Sequence, residues 1–533
     1  MRGSGRGGVV APAAGHPCGV RAVAAIDNLD FGKEELERTD AVLNRPPGSA
    51  RMDARRWRMA TAPEFSAGGR WPPMADMATR AAGGDERADG VIPAELVQRL
   101  AADFRRDPHR RTTMNAIRKN GIQAVALDPD VVTAHQHTFS QEIETGPITN
   151  QRASGRCWMF AGLNTLRVPV RERWALKEFE LSQSYQMFWD KFERSNYFLE
   201  SILETLDQPV DGRLVSWLLA SPVGDGGQWD MFVNLVEKYG VVPKYAMPET
   251  FHSGSSAGMN RLLTVKLREY AAHLREAHRH GHAGAAALRQ RKEGMLSEVY
   301  RLLVQFLGEP PDRFDFEYRD KEKGFHRDAG LTPLQFYSRY VGVDLGAYVS
   351  LINAPTADKP FGRTYTVRFL GNVRGGREVL YLNVDIETLQ TMALAQLTAG
   401  EPVWFGCDVG KMSDRDSGVM DAALFDYEGA LGVPFTLGKA ERLEYGESRM
   451  THAMVFTGVN VVDGRPNRWK VENSWGKDAG RDGFYVMSDE WFKEYMYQVV
   501  VRRDLLSPEL RAALAQPPIA LQPWDPMGAL ARQ

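Results

Sequence analysis

The hydrophobic and polar positions of this chain change rhythm along its length. Up to about residue 90 apolar residues keep no sustained period, and Gly, Ala, Pro and Arg dominate. Such a stretch cannot bury enough apolar surface to order itself, so 1–90 is expected to be a disordered extension. Pro12, Gly15, His16 and Pro17 interrupt any apolar core, which argues against a secretory signal, and Met74 and Met77 are alternative starts just upstream of the first periodic segment. From Pro93 a helical period begins with Leu96, Leu100 and Phe104. Residues 122–148 are mixed and lack long helices. The run after Cys157 (Trp158, Met159, Phe160, Ala161, Leu163) predicts a buried helix, and 181–200 an aromatic-rich one whose rings read as core. A Gly-rich turn at 224–228 then opens a helix with Trp229, Phe232, Val233 and Val236 at i, i+3, i+4, i+7, closed by Gly240.

Residues 255–345 are charged and rich in helix formers, which predicts a helical insertion. Beyond about 346 the period shortens to two, predicting strands at 364–370, 379–384, 403–409, 454–459, 468–473 and 484–487, with 371–377 (GNVRGGR) as a hairpin turn. The chain is therefore expected to be α+β: a mainly helical half (91–254), the insertion (255–345), a β-rich half (346–510) and a C-terminal arm (511–533).

Composition narrows the function class. With 533 residues, 43% apolar and 25% charged, the chain is long enough for a large core. The 66 basic and 68 acidic residues leave a net charge of −2, which gives no overall pull toward nucleic acid, and no run approaches the roughly 18 apolar residues of a membrane-spanning helix. Three cysteines (Cys18, Cys157, Cys407) make no disulfide framework and point to a reducing compartment. His278, His280 and His282 alternate, a spacing suited to a strand face, but their polar, Gly-containing context reads as a solvated loop and no metal site is expected.

The stretch with chemistry in it is QRASGRCWMFAGLN, residues 151–164. It places Cys157 at the start of a helix, where free N–H groups and the helix dipole favour a thiolate. Gln151, six residues upstream, carries an amide able to donate to an oxyanion forming beside the sulfur. A nucleophilic thiol needs a base, and the β-rich half offers one. His452 opens an apolar strand in THAMVFTG, and Asn473 in ENSWG follows 21 residues later (473 − 452). The Asn oxygen can fix one ring nitrogen while the other faces the thiol, with Trp475 shielding that bond from water. Gly226 and Gly227 would let backbone approach a bound peptide closely; a phosphate cradle would need a following Lys-Ser/Thr, which is lacking.

QRASGRCW, THAMVFTG and ENSWG resemble the papain-like cysteine peptidases. SQSYQMFWDKFE, PVGDGGQWDMFVNLVEKYGVVPK, EPVWFGCDVGK and the terminal PWDPMGALA narrow the resemblance to the bleomycin hydrolase and aminopeptidase C family, over about 93–531. It implies a papain-like fold with a helical half and a β-barrel-like half. It also implies Cys157 as nucleophile, His452 as general base and acid, Asn473 as orienter, and Gln151 with the Cys157 N–H as oxyanion hole. The pair would rest as thiolate and imidazolium, and peptides or bleomycin-like amides would be cleaved from the N-terminus through a thioester acyl-enzyme, with no cofactor. Ser154 stands where secreted papain-like enzymes carry a disulfide cysteine, and the 295 residues from nucleophile to base (452 − 157) are about twice the papain-like spacing of ~130–150. The insertion accounts for the surplus. A cytoplasmic homohexamer is implied, with the C-terminal arm in the cleft and Ala531 near the substrate amine, although Arg532 and Gln533 extend past it. Two rival classes stand beside it: a ring that binds nucleic acid with dispensable peptidase activity, which the resemblance also implies and the near-neutral charge disfavours, and a catalytically dead scaffold, which the presence of all four site residues disfavours.

Overall fold

The computed structural model describes residues 90–281 and 284–532. The chain divides into two units, 1–91 and 92–533, and the second is treated below. The expectations for residues 1–89 (a disordered extension, starts at Met74 or Met77, the absence of a signal) and for His282 lie outside the described residues.

The helical half starts with α1 (Ala94–Arg106), which forms as the period predicts but buries none of its residues; Leu100 is 58% exposed and Phe104 41%. Two short helices, Ile122–Ala126 and Pro129–Ala134, lead to the segment before Cys157. The central helix α2 (Cys157–Arg173) is covered on nearly every side, as expected for a helix apolar around most of its circumference. Around it stand α3 (Gln183–Glu204), α4 (Arg213–Ala220) and α5 (Trp229–Tyr239). Gly240 closes α5 with φ 71°, a backbone conformation that costs glycine little.

The insertion supplies α6 (Ala257–Arg279) and α7 (Ala285–Leu307), but it is not purely helical. Residues 314–331 form an antiparallel hairpin, β1 (Phe314–Arg319) and β2 (Phe325–Leu331), which corrects the expectation of a helical insertion. Phe314, Phe316 and Tyr318 alternate with charged residues, a two-residue period too short to stand out beside the long helices. Phe316 packs on Phe336 at 4.9 Å and on Tyr340 at 4.7 Å, and the insertion joins one hydrophobic core with α2 and α3.

The β-rich half contains β3 (Tyr348–Ile352), β4 (Arg363–Val367), β5 (Tyr381–Asn383), β6 (Val403–Cys407), β7 (His452–Val462), β8 (Arg465–Glu472), β9 (Phe484–Ser488), β10 (Met496–Arg502) and β11 (Ile519–Leu521). They form one mixed sheet in the order β11-β4-β5-β3-β10-β6-β7-β8-β9, extended beyond β9 by short strands at 419–420 and 413–414. Most pairs are antiparallel; β3–β5, β11–β4 and β9 with the 419–420 strand are parallel. The pairing is an open path with two ends, so hydrogen bonds alone do not close a barrel. β3 and β10 are buried on both faces and read as near-continuous apolar runs interrupted by Ser350 and Gln498, so they carry no alternation that predicts a strand. GNVRGGR does connect the antiparallel neighbours β4 and β5, but it packs on the helical half, where Asn372 donates to Asp190 (3.0 Å) and to the Met231 carbonyl (3.1 Å).

The sheet separates two cores. Along β6, Trp404 faces the helical core while Val403, Phe405 and Cys407 face a second core behind the sheet. Trp404 Nε1 donates to the Trp158 carbonyl at 3.0 Å, fastening the first turn of α2 to the sheet.

Candidate active site

Cys157 is the first residue of α2, and Arg156 before it offers no side-chain cap, so the first N–H groups of the helix are left for other partners. The segment leading in is held by reciprocal bonds. Gln151 Nε2 donates to the Ser154 carbonyl (2.6 Å) and Ser154 Oγ to the Gln151 carbonyl (2.6 Å). Across the cleft, Ser474 Oγ donates to Gln151 Oε1 (2.6 Å), and the Gln151 N–H donates to the Ser474 carbonyl (2.8 Å). The amide of Gln151 is therefore fixed at its oxygen and by one N–H, leaving a second N–H to donate.

His452 opens β7, between β6 and β8. Its Nε2 lies 2.9 Å from Asn473 Oδ1. An amide oxygen can only accept, so the neutral ring carries its hydrogen on Nε2 and leaves Nδ1 as an acceptor. Trp475 packs on the ring at 4.9 Å, covering that bond as expected. The backbone N–H of Ala453, the next residue, favours negative charge on the Cys157 sulfur, which sets the nucleophile beside the strand that carries the base. Asn473 is positioned from α2 as well: the adjoining Glu472 is buried and accepts from Arg167 (2.5 Å) and Asn164 (2.8 Å) of that helix. Burial raises the Glu472 carboxyl, against the pull of Arg167.

Cys157 is 1% and His452 4% exposed. Burial pushes the thiol up to about 11, although the N–H groups of Ala453, Trp158 and Cys157 itself favour the thiolate. Burial also lowers the imidazole to about 4, with Asn473 opposing. Desolvation thus works against charge on both groups, while the N–H groups at the sulfur and the Asn473 oxygen at the ring work for it.

The Gly-rich turn is organised by Asp225, which the sequence reading passed over. Its carboxylate accepts from Gly155 N–H (2.9 Å), Lys191 (2.5 Å), Asn260 (2.7 Å) and Ser256, while its carbonyl accepts from Trp158 Nε1 (2.7 Å). Burial alone would raise this carboxyl, but the Lys191 charge and these bonds outweigh it and hold it well below the usual carboxylate range. Asp225→Asn strands a buried Lys191 and is expected to cost about 3–5 kcal/mol, read as a lower urea midpoint. Because the folded-state pKa is depressed, the contribution is complete above about pH 4 and fades as pH falls further; an unchanged midpoint at pH 7 would count against the pairing.

At Gly227 the close approach is to the chain itself: a Cβ would stand 2.4 Å from the Trp158 ring. The Gly226 carbonyl accepts from Arg194 at 2.7 Å. Ala531 is buried in a short helix, Pro526–Arg532, and its carbonyl accepts from the same Arg194 at 3.3 Å. Asp190, Lys191 and Arg194 recur at i, i+1 and i+4 within a helix read from its rings as core, and this charged stripe is the signal that could have set α3 apart. His278 lies in the last turn of α6, 3.1 Å from Asp207, and His280 follows at its end, so these two do not share a strand face.

Residues 91–528 match the Peptidase C1-like family. The chain is 51% identical to aminopeptidase C of Listeria monocytogenes over 437 residues, covering 82% of this chain and 98% of that one. It is 47% identical to aminopeptidase C of Lactococcus lactis subsp. lactis, covering 83% and 100%, and 42% identical to bleomycin hydrolase of Mus musculus, covering 83% and 99%. A crystal structure of PepW from Lactobacillus rhamnosis superposes with a TM-score of 0.81 at 50% identity, over 82% of this chain and 99% of that one. The chain belongs to the Peptidase C1-like family and has its papain-like fold. Within that family its relatives are the aminopeptidases C and bleomycin hydrolase.

Proposed function

We infer that this chain is a cysteine-type aminopeptidase whose chemistry is carried by Cys157, His452, Asn473 and Gln151. The observation that carries the assignment is the 2.9 Å bond from His452 to Asn473, with the neighbouring Ala453 N–H on the Cys157 sulfur. Sγ bonds to the substrate carbonyl carbon as its proton passes to His452 Nδ1. The displaced electron pair moves to the carbonyl oxygen, which takes N–H bonds from Gln151 and from the Cys157 backbone. Collapse of this adduct breaks the C–N bond, and the imidazolium protonates the leaving amine, leaving a thioester. The ring then takes a proton from water, the hydroxyl attacks the thioester, and sulfur departs with the proton returned to it.

Peptides, and amides of the bleomycin type, enter with their free amine toward the C-terminal arm. Ala531 and the backbone of Gly226 and Gly227 bound that end of the cleft; burial of Ala531 against Arg194 supports this placement. A nucleophilic thiol suits a reducing, cytoplasmic setting, and both cysteines among the described residues, Cys157 and Cys407, are unpaired. No described helix is long and apolar enough to cross a membrane. The exposed apolar side chains of α1 support assembly into the homohexamer implied by the resemblance, for which the sedimentation mass of the intact chain is the direct test. The deciding assay for activity is turnover of aminoacyl-coumarins with N-blocked versions as controls. Release from the free-amine substrates and little from the blocked ones is expected; comparable release from both would overturn the aminopeptidase assignment.

A further inference from the structure

The charged stripe on α3 meets two parts of the molecule that lie far apart in sequence. Arg194 is 7% and Asp190 1% exposed, and they form a two-pronged ion pair in which Arg194 Nη2 lies 3.0 and 3.1 Å from the Asp190 oxygens. The same Nη2 donates to the Gly226 carbonyl at 2.7 Å, and Nη1 donates to the Ala531 carbonyl at 3.3 Å. Gly226 adjoins Gly227, whose backbone lies against Trp158, the residue after Cys157. One planar guanidinium thus ties the C-terminal arm to the turn that backs the nucleophile. Arg532, next in the chain, stacks on Trp217 at 3.6 Å and donates to its carbonyl at 2.9 Å, so the arm is gripped at the Ala531 carbonyl and again at the residue after it.

We propose that Arg194 is a positioning residue that sets where the cleft ends. By holding the Ala531 and Gly226 carbonyls on separate nitrogens of one fork, it fixes the arm against the turn that backs Cys157, so that a single residue is admitted ahead of the cleaved bond. This rests on the aminopeptidase assignment and names the group that enforces it. Lysine keeps the charge opposite Asp190 but presents one nitrogen, which cannot span both carbonyls.

The test compares free-amine and N-blocked aminoacyl and peptidyl coumarins on the intact chain. Arg194→Lys is expected to raise N-blocked turnover in absolute terms and to increase its ratio to free-amine turnover at least tenfold, because a released arm lets longer chains pass. A parallel loss on both substrates, or an unchanged ratio, would overturn the proposal, since a merely structural role lowers both alike. Deleting residues 531–533 removes the acceptor and should shift the ratio the same way, with Arg194→Lys adding nothing further in that background. Should Arg194→Lys fail to fold, an unshifted ratio in the shortened chain is the overturning result. Wild-type chain that cleaves both substrates equally would instead refute the aminopeptidase assignment on which the proposal stands.

Discussion

Replacing Cys157 by serine or alanine is expected to abolish peptide turnover, by on the order of 10⁵-fold or more. The sulfur sits at the first position of α2, with N–H groups of Ala453, Trp158 and Cys157 directed at it. These donors stabilise negative charge on an atom that can carry it. A serine oxygen in the same desolvated position starts from a far higher pKa, and alanine provides no electron pair at all. Steady-state kinetics on an aminoacyl-coumarin measures the loss, and wild-type-like turnover by Cys157→Ser would refute the nucleophile. Gln151→Ala should be milder, on the order of 100- to 1000-fold in kcat, because it removes one of two oxyanion donors and leaves the bond-making groups in place.

The second large effect concerns the base. With its thiol pushed up to about 11, Cys157 has little thiolate of its own at neutral pH. Four pH units below that value the ionised fraction is about 10⁻⁴, so the reactivity of the intact site depends on transfer of the thiol proton to His452. His452→Ala should therefore slow alkylation of Cys157 by iodoacetamide at pH 7 by about 10³-fold or more. The residual rate should climb about tenfold per pH unit toward pH 10, since deprotonation then has to come from solvent. The sign follows from the shift: a raised thiol pKa puts the reactive form on the alkaline side. Mass-resolved alkylation rates check it, and an equal rate in variant and wild type at pH 7 would remove His452 from the mechanism.

What was readable without coordinates follows from how local each feature is. The helix after Cys157, the turn at 224–228, the strand beginning at His452 and the ENSWG segment each follow from spacing within a dozen residues, because periodicity and turn residues act over that range. The candidate set of Gln151, Cys157, His452 and Asn473 could be named from the sequence because each sits in a short motif with its own chemical logic. The hairpin at 314–331 was hidden beside longer helices, and β3 and β10 were hidden because burial on both faces erases the alternation that marks a strand.

The amino-acid order by itself determined the residue chemistry and the local elements that present it: a thiol at a helix start, an imidazole at a strand start and an amide after the next strand. Only the tertiary structure decided the environment of those groups. Desolvation, which pushes the thiol up and the imidazole down, is a property of everything packed around Cys157 and His452. The ties from Asp225, Arg194 and Glu472 join segments up to 337 residues apart. Such contacts leave no periodic trace in the chain, because a buried ion pair or a shared carbonyl depends on which surfaces meet and not on the spacing along either one.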